Sequence, residues 1–273
     1  MIKILQLPNQ SSLNNVQVTD TLKRLEESIH HLFQNNDLKP MLRTSRLFII
    51  QRPELFYHAI ENNYSDLITS FVSVAGQKLL EHRNDQGDTP FLYGIRLNRV
   101  TFIQAFLQRE NINEYIYDVN YQGQNIFHLL AMNNDSNELF ELIIDYLDRN
   151  SIDIKEKFDR IDDDKRTPLQ IAISKHNFSA MRHLIKYSDK EIVQTSDTLG
   201  ENLIHFTVRY GDLMILKYLL ENEDLIEQGN RSSLTMTPYQ LAIHLKHDDM
   251  KEYLEKIYPQ PKLECEEEIS DNE

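Results

Sequence analysis

The 273-residue chain has no tryptophan and one cysteine, Cys265. A lone cysteine excludes an intramolecular disulfide and a cysteine-rich zinc site, so the fold needs no oxidising compartment. Glycine and proline are scarce, at 7 and 8 residues, which excludes a collagen-like or linker-rich chain and argues against a sandwich full of tight turns. Positive charge is in deficit: 29 Lys and Arg stand against 43 Asp and Glu, for a net charge of −14. A field of that sign repels phosphate backbones and anionic lipid, so no nucleic acid and no membrane insertion are expected. No run approaches the ~18 apolar residues of a membrane span. The opening MIKILQLPNQSSLNN is too short in apolar residues for a cleaved secretory leader. The expected location is the cytoplasm, or a host cell's cytoplasm reached without such a leader.

What the chain does have is internal repetition. GDTPFLYGI (87–95), GQNIFHLLA (123–131), KRTPLQIAI (165–173), GENLIHFTV (200–208) and TMTPYQLAI (235–243) align, with the Thr-Pro pair or its substitute starting at 89, 125, 167, 202 and 237. The spacings are 36, 42, 35 and 35. Thr or Asn suits a helix N-cap, and Pro is tolerated in the first turn, where its missing N–H costs nothing. Each unit then offers two short amphipathic helices that can bury their apolar faces only against neighbouring units. Leu216, Leu219 and Leu220 have the spacing of one such stripe.

This pattern resembles the ankyrin repeat and its T-P-L-H-x-A signature. GDLMILKYLLE (211–221) is similar to the second half of that unit, and VTFIQAFL (100–107), DSNELFELIIDYL (135–147), NFSAMRHLI (177–185) and DDMKEYLEKI (248–257) hold the same place. The resemblance implies an all-α ankyrin-repeat solenoid of about five repeats over 84–258, with units starting near 84, 120, 162, 197 and 232. Residues 51–83 read as a degenerate helix pair and 1–50 as an N-terminal helical cap region. There Leu22, Leu25, Ile29, Leu32 and Phe33 share one face of a helix over 19–37. Residues 147–165 are expected to be a tolerated polar surface loop, and 259–273 a disordered acidic tail by composition.

His128 and His205 align with the signature histidine, whose implied role is structural: bonds within the turn and to the neighbouring unit. Gln170 and Gln240 occupy the same position and could still hydrogen-bond, whereas Leu92 cannot. His244 and His247 lack a third ligand nearby in sequence, and Asp162, Asp163 and Asp164 lack the glycine and terminal glutamate of a calcium loop. A turn cluster is the better reading of those aspartates. No nucleophile elbow, phosphate loop, dinucleotide fingerprint or HExxH motif is present. No catalytic, cofactor or metal residue is therefore assigned.

The implied function is protein binding through the concave face of the array, by a chain that is monomeric when free. Carried over by alignment, the partner-binding positions are Asp88, Arg96, Tyr121, Gln124, Met132, Arg166, Lys175, Leu199, Glu201, Arg209, Tyr210, Met236 and His244. The eroded signature, an Asn-, Lys- and Ile-rich composition and the tail ECEEE resemble secreted bacterial type IV effectors acting on a host protein. Two alternatives are an IκB-like inhibitory binder, whose D-S-G-x-x-S motif is absent here, and an enzyme with an active site in residues 1–83.

Overall fold

Five residues punctuate the chain in the same way. Thr89, Asn125, Thr167, Asn202 and Thr237 have extended backbones, and the side chain of each accepts the N–H of the third residue beyond it. Each thereby satisfies an otherwise orphaned donor at a helix start. In three of the five, proline is the first helical residue.

The computed structural model describes residues 20–27, 31, 53–109, 112–134, 136–152, 158–188, 201–221 and 236–259. Leu199, Cys265, the acidic tail and most of residues 1–50, including Ile29, Leu32 and Phe33, lie outside them. No strand occurs among the described residues. The helices are α1 (Glu54–Glu61), α2 (Ser65–Val74), α3 (Gln77–Leu80), α4 (Pro90–Arg96), α5 (Val100–Leu107), α6 (Asn113–Ile116) and α7 (Ile126–Met132). They continue with α8 (Asn137–Arg149), α9 (Pro168–Ser174), α10 (Phe178–Tyr187), α11 (Leu203–Tyr210), α12 (Leu213–Leu220), α13 (Pro238–Leu245) and α14 (Asp248–Ile257).

Consecutive helices pair through tight corners. Asn63, Asn98, His176, Gly211 and Lys246 all take positive φ at the corner, reversing the chain in two or three residues. The pairs then stack in chain order. The first helices pack α1 on α4, α4 on α7, α7 on α9, α9 on α11 and α11 on α13, while α2 meets α5 and α5 meets α8 behind them. At Gly94 the helices of one pair approach so closely that a Cβ would lie 2.2 Å from Phe102 Cδ1. Phe56, Phe71, Phe91, Phe102 and Phe106 form a continuous set of ring contacts across the first two pairs.

Both ends of the stack are treated differently from its middle. Helical residues 20–27 bury Leu22 and Leu25, and the Glu26 carboxylate accepts the N–H of Asp66 (3.2 Å) and Leu67 (2.7 Å) at the start of α2. At the far end, Lys251 and Glu255 of α14 occupy the register of Met181 and Ile185 in α10 and of Leu216 and Leu220 in α12. The sixth residue after each cap is fully buried in Ile95, Ala131, Ile173 and Val208, but Ile243 is 49 % exposed. Among the described residues no helix pair packs beyond α13 and α14, and polar side chains such as Lys251 and Glu255 suit a face that meets water.

The 147–165 segment departs from the expected surface loop. Phe158 is buried, stacked on Phe127 at 4.0 Å between ring centroids and on Tyr187 at 5.8 Å. The polar composition around it hid a single aromatic anchor. Leu80 of α3 and Ile116 of α6 are buried at the corresponding places before the first two turns. Phe158→Ala is expected to destabilise the protein by about 3–5 kcal/mol, the cost of truncating a buried aromatic. Urea denaturation monitored by circular dichroism checks this; a change below ~1 kcal/mol would restore the loop reading.

Candidate interaction face

The turns leading into the first three capped helices are built alike. Asn84, Asn120 and Asp162 each accept, through Oδ1, the backbone N–H four residues on, at 2.9, 2.9 and 2.8 Å. Their own N–H groups donate to the carbonyls of Asp88, Gln124 and Arg166. Neighbouring turns are stitched together: Tyr121 N–H donates to Gln86 O at 3.2 Å and Asp163 N–H to Gln122 O at 3.0 Å. Arg83 ties the first two more firmly, donating to Gly87 O, Val119 O and Asp118 Oδ1. Sequence reasoning missed this column, although Asn84, Asn120 and Asp162 repeat at the spacings of the caps themselves.

The thirteen expected partner-binding positions divide sharply by burial. Asp88 and Gln124 are corrections: they are 0 % and 2 % exposed and face inward. Asp88 receives Arg96 through Nε (2.6 Å) and Nη2 (3.0 Å) and Asn120 through Nδ2 (3.0 Å). Gln124 Oε1 accepts from Asn120 at 3.0 Å and from Arg96 at 3.4 Å. A buried carboxylate needs such partners, so these two side chains join the first turn to the second and offer nothing outward. Met132 and Met236 are half-buried and pack against the core. Leu199 lies outside the described residues.

The remaining positions reach the surface. Tyr121 is 66 % exposed, yet its ring covers Gly87: a Cβ there would lie 2.3 Å from Tyr121 Cγ. Lys175, Arg209, Tyr210 and His244 are exposed, and Tyr210 leans on Phe206 at 4.8 Å. Arg166 is held by Asp162, whose side chain is 1 % exposed, and also meets the exposed Asp164. This is the turn cluster expected in place of a calcium loop. Arg209 pairs with Glu201, whose side chain is 10 % exposed.

His128 and His205 answer the question their apolar surroundings raise. In each, Nδ1 accepts the N–H of the cap residue at 3.3 Å, and Nε2 lies 3.1 Å from a carbonyl of the next helix pair. The acceptors are Arg166 O for His128 and Met236 O for His205. Gln170 and Gln240 accept their caps' N–H groups in the same way, at 2.9 Å. Leu92 has no polar atom to do so. Burial pushes the His128 imidazole down to about 4, outweighing the Arg166 carbonyl that favours its charged form. His247 rests against Gly211. Among the described residues, no three His, Cys, Asp or Glu side chains gather as a metal site.

No protein-family model matches this chain, and no curated protein matches it.

Two outcomes are expected for His128. Gln keeps a capping acceptor and costs little, whereas Leu removes the ring acceptor of the Asn125 N–H and one of the two donors to the Arg166 carbonyl and costs about 1–3 kcal/mol in urea melts. The pH dependence has a definite sign. The folded value lies below the unfolded one near 6.5, so the unfolded chain takes up the proton first as pH falls. Stability from neutral His128 is full above about pH 6.5 and is lost progressively down to about pH 4, by roughly 3 kcal/mol. The slope over that window should flatten in His128→Gln; an unchanged slope would assign the acid sensitivity elsewhere.

Proposed function

We propose that the chain is an ankyrin-repeat-type scaffold that binds another protein through the face made by its turns and first helices. The supporting observation is the register of five N-caps, in four of which the third residue's side chain reaches back to the cap. In two of the five units an imidazole also reaches forward to the next unit. That arrangement matches the signature quoted from the sequence and its implied structural histidine. It makes a stack of like units with an ordered surface.

The face carries the chemistry of interaction hot spots. Tyr121 and Tyr210 are exposed aromatics, Arg209 and Lys175 are exposed cations, and Met132 and Met236 are adaptable side chains half-buried beside them. The scaffold below them is fixed by bonds between turns, so a partner meets a surface ordered in advance. Action on a host protein after export rests on the eroded signature, the Asn-, Lys- and Ile-rich composition and the tail ECEEE, and is the finer part of the proposal.

The test is affinity capture from a eukaryotic lysate with mass spectrometry, using wild type beside Tyr121→Ala, Lys175→Ala, Arg209→Ala and Tyr210→Ala combined. Arg166 is left in place because its loss would strand the buried Asp162 carboxylate. The expected result is one stoichiometric protein held by wild type and lost by a variant with an unchanged circular dichroism spectrum. Equal capture by both would remove this face from the proposal, and absence of any specific partner would remove the binding function.

A further inference from the structure

One geometry recurs three times on this face. Arg96, Arg166 and Arg209 each direct Nε and Nη2 at a carboxylate lying deeper than themselves: Asp88, Asp162 and Glu201. The carboxylate side chains are 0 %, 1 % and 10 % exposed, while the guanidinium side chains are 20 %, 35 % and 43 % exposed. Arg166 and Arg209 are thus each held along one edge by a carboxylate behind them, whereas Arg96 also donates through Nη2 to the buried Gln124 Oε1 at 3.4 Å. A planar guanidinium has two such edges and can serve two carboxylates.

At Arg166 the second edge is already used. Nη2 donates to Asp164 Oδ2 at 2.7 Å, and Asp164 is an exposed side chain at 73 %. This chain therefore displays the docking mode itself: an exposed carboxylate seated on the outer side of an arginine that a buried carboxylate holds in place. Arg209 has the same clamp and greater exposure, and among the described residues it meets no second carboxylate. Beside it stand exposed Tyr210 and, one helix pair back, exposed Lys175, at the end of α9, which packs on α11.

We propose that Arg209, flanked by Tyr210 and Lys175, is the anchor for a carboxylate side chain on an acidic segment of the partner protein, seated as Asp164 is on Arg166. The proposal rests on the protein-binding reading above. Helices pack at about 8–10 Å, so the Lys175 and Arg209 positions are one such step apart. An extended segment rises about 3.3 Å per residue, so acidic residues three apart can meet both. The clamp by Glu201 lowers the ordering cost of the interaction, because the guanidinium does not have to be fixed at the moment of binding. It also favours a single carboxylate over a dense anion at Arg209, whose charge Glu201 already offsets.

The probe is a fluorescein-labelled twelve-residue peptide with glutamates at positions 4, 7 and 10 among serine, leucine and glutamine, titrated against the full chain by anisotropy. Its counterpart has glutamine at those three positions. The expected result is saturable binding that weakens at least about tenfold in the glutamine peptide, the loss of a charge-assisted bond. Glu201→Gln combined with Arg209→Met should weaken it as much, removing the pair together so that no carboxylate is stranded. Arg209→Lys keeps the charge but loses the fork and should fall between.

The proposal is overturned by affinity that ignores the peptide's charge, by affinity that ignores the double variant, or by no saturable binding below about 1 mM. Equal competition by a phosphorylated peptide or by inorganic phosphate would also overturn it and mark a general anion site. A lysate partner lost by the fourfold alanine variant but kept by Glu201→Gln, Arg209→Met would sink this inference alone and leave the protein-binding reading standing.

Discussion

No helix among the described residues is long enough to hold its shape alone. Among the described residues the longest, α8, has 13 residues, and most have seven to ten. Helices of that length are marginal in water, because a costly nucleus is repaid by too few later bonds. Everything else follows from the need for a neighbour. Each first helix must be started sharply, turned back on its partner and laid against the next pair. The caps, the positive-φ corners and the stacked apolar faces meet these three demands in turn.

Stacking also exposes a difficulty that the polar residues solve. Where one pair meets the next, backbone groups at helix ends would be buried without partners. Side chains from the following unit supply them. Arg99 donates to Ile60 O and Glu61 O at the end of α1, and Arg109 to Ala75 O and Val72 O at the end of α2. Asn177 donates to Leu130 O, Ala131 O and Asn133 O at the end of α7. His128 and His205 do the same for carbonyls at the turns. Each unit thus completes the hydrogen bonding of its neighbour, so the stability of one is inseparable from contact with the next, as in a nearest-neighbour array.

Much of this was legible in the sequence. Thr-Pro and its Asn substitutes fixed the helix starts, because capping depends on a local side chain and a local backbone. The role of His128 and His205 was legible too, since glutamine recurs in their register. Asp88, Gln124 and Phe158 were not. Asp88 and Gln124 are polar and sit beside the signature turn, which is where exposed contacts are expected. Only the positions of Arg96 and Asn120, eight and 32 residues away from Asp88, reveal that they are enclosed. Phe158 stands alone among charged residues, and nothing local says that Phe127 and Tyr187 leave a place for it.

The same burial divides the face into two regimes. Around the first two turns, Asp88, Arg96, Asn120 and Gln124 satisfy one another, and Arg83 binds both turns from the side. Drawing Arg96 out of that network to meet a partner would leave the Asp88 carboxylate buried without its cation, at a cost of several kcal/mol. At α11 the Glu201 carboxylate sits behind and Arg209 in front, with Tyr210 and Lys175 outside any such network among the described residues. A partner can add bonds there without breaking any. In the protein-binding reading proposed above, the first region is the rigid frame and the second the recognising surface, because Arg96 already spends its donors on Asp88 and Gln124 whereas Arg209 meets only Glu201 among the described residues.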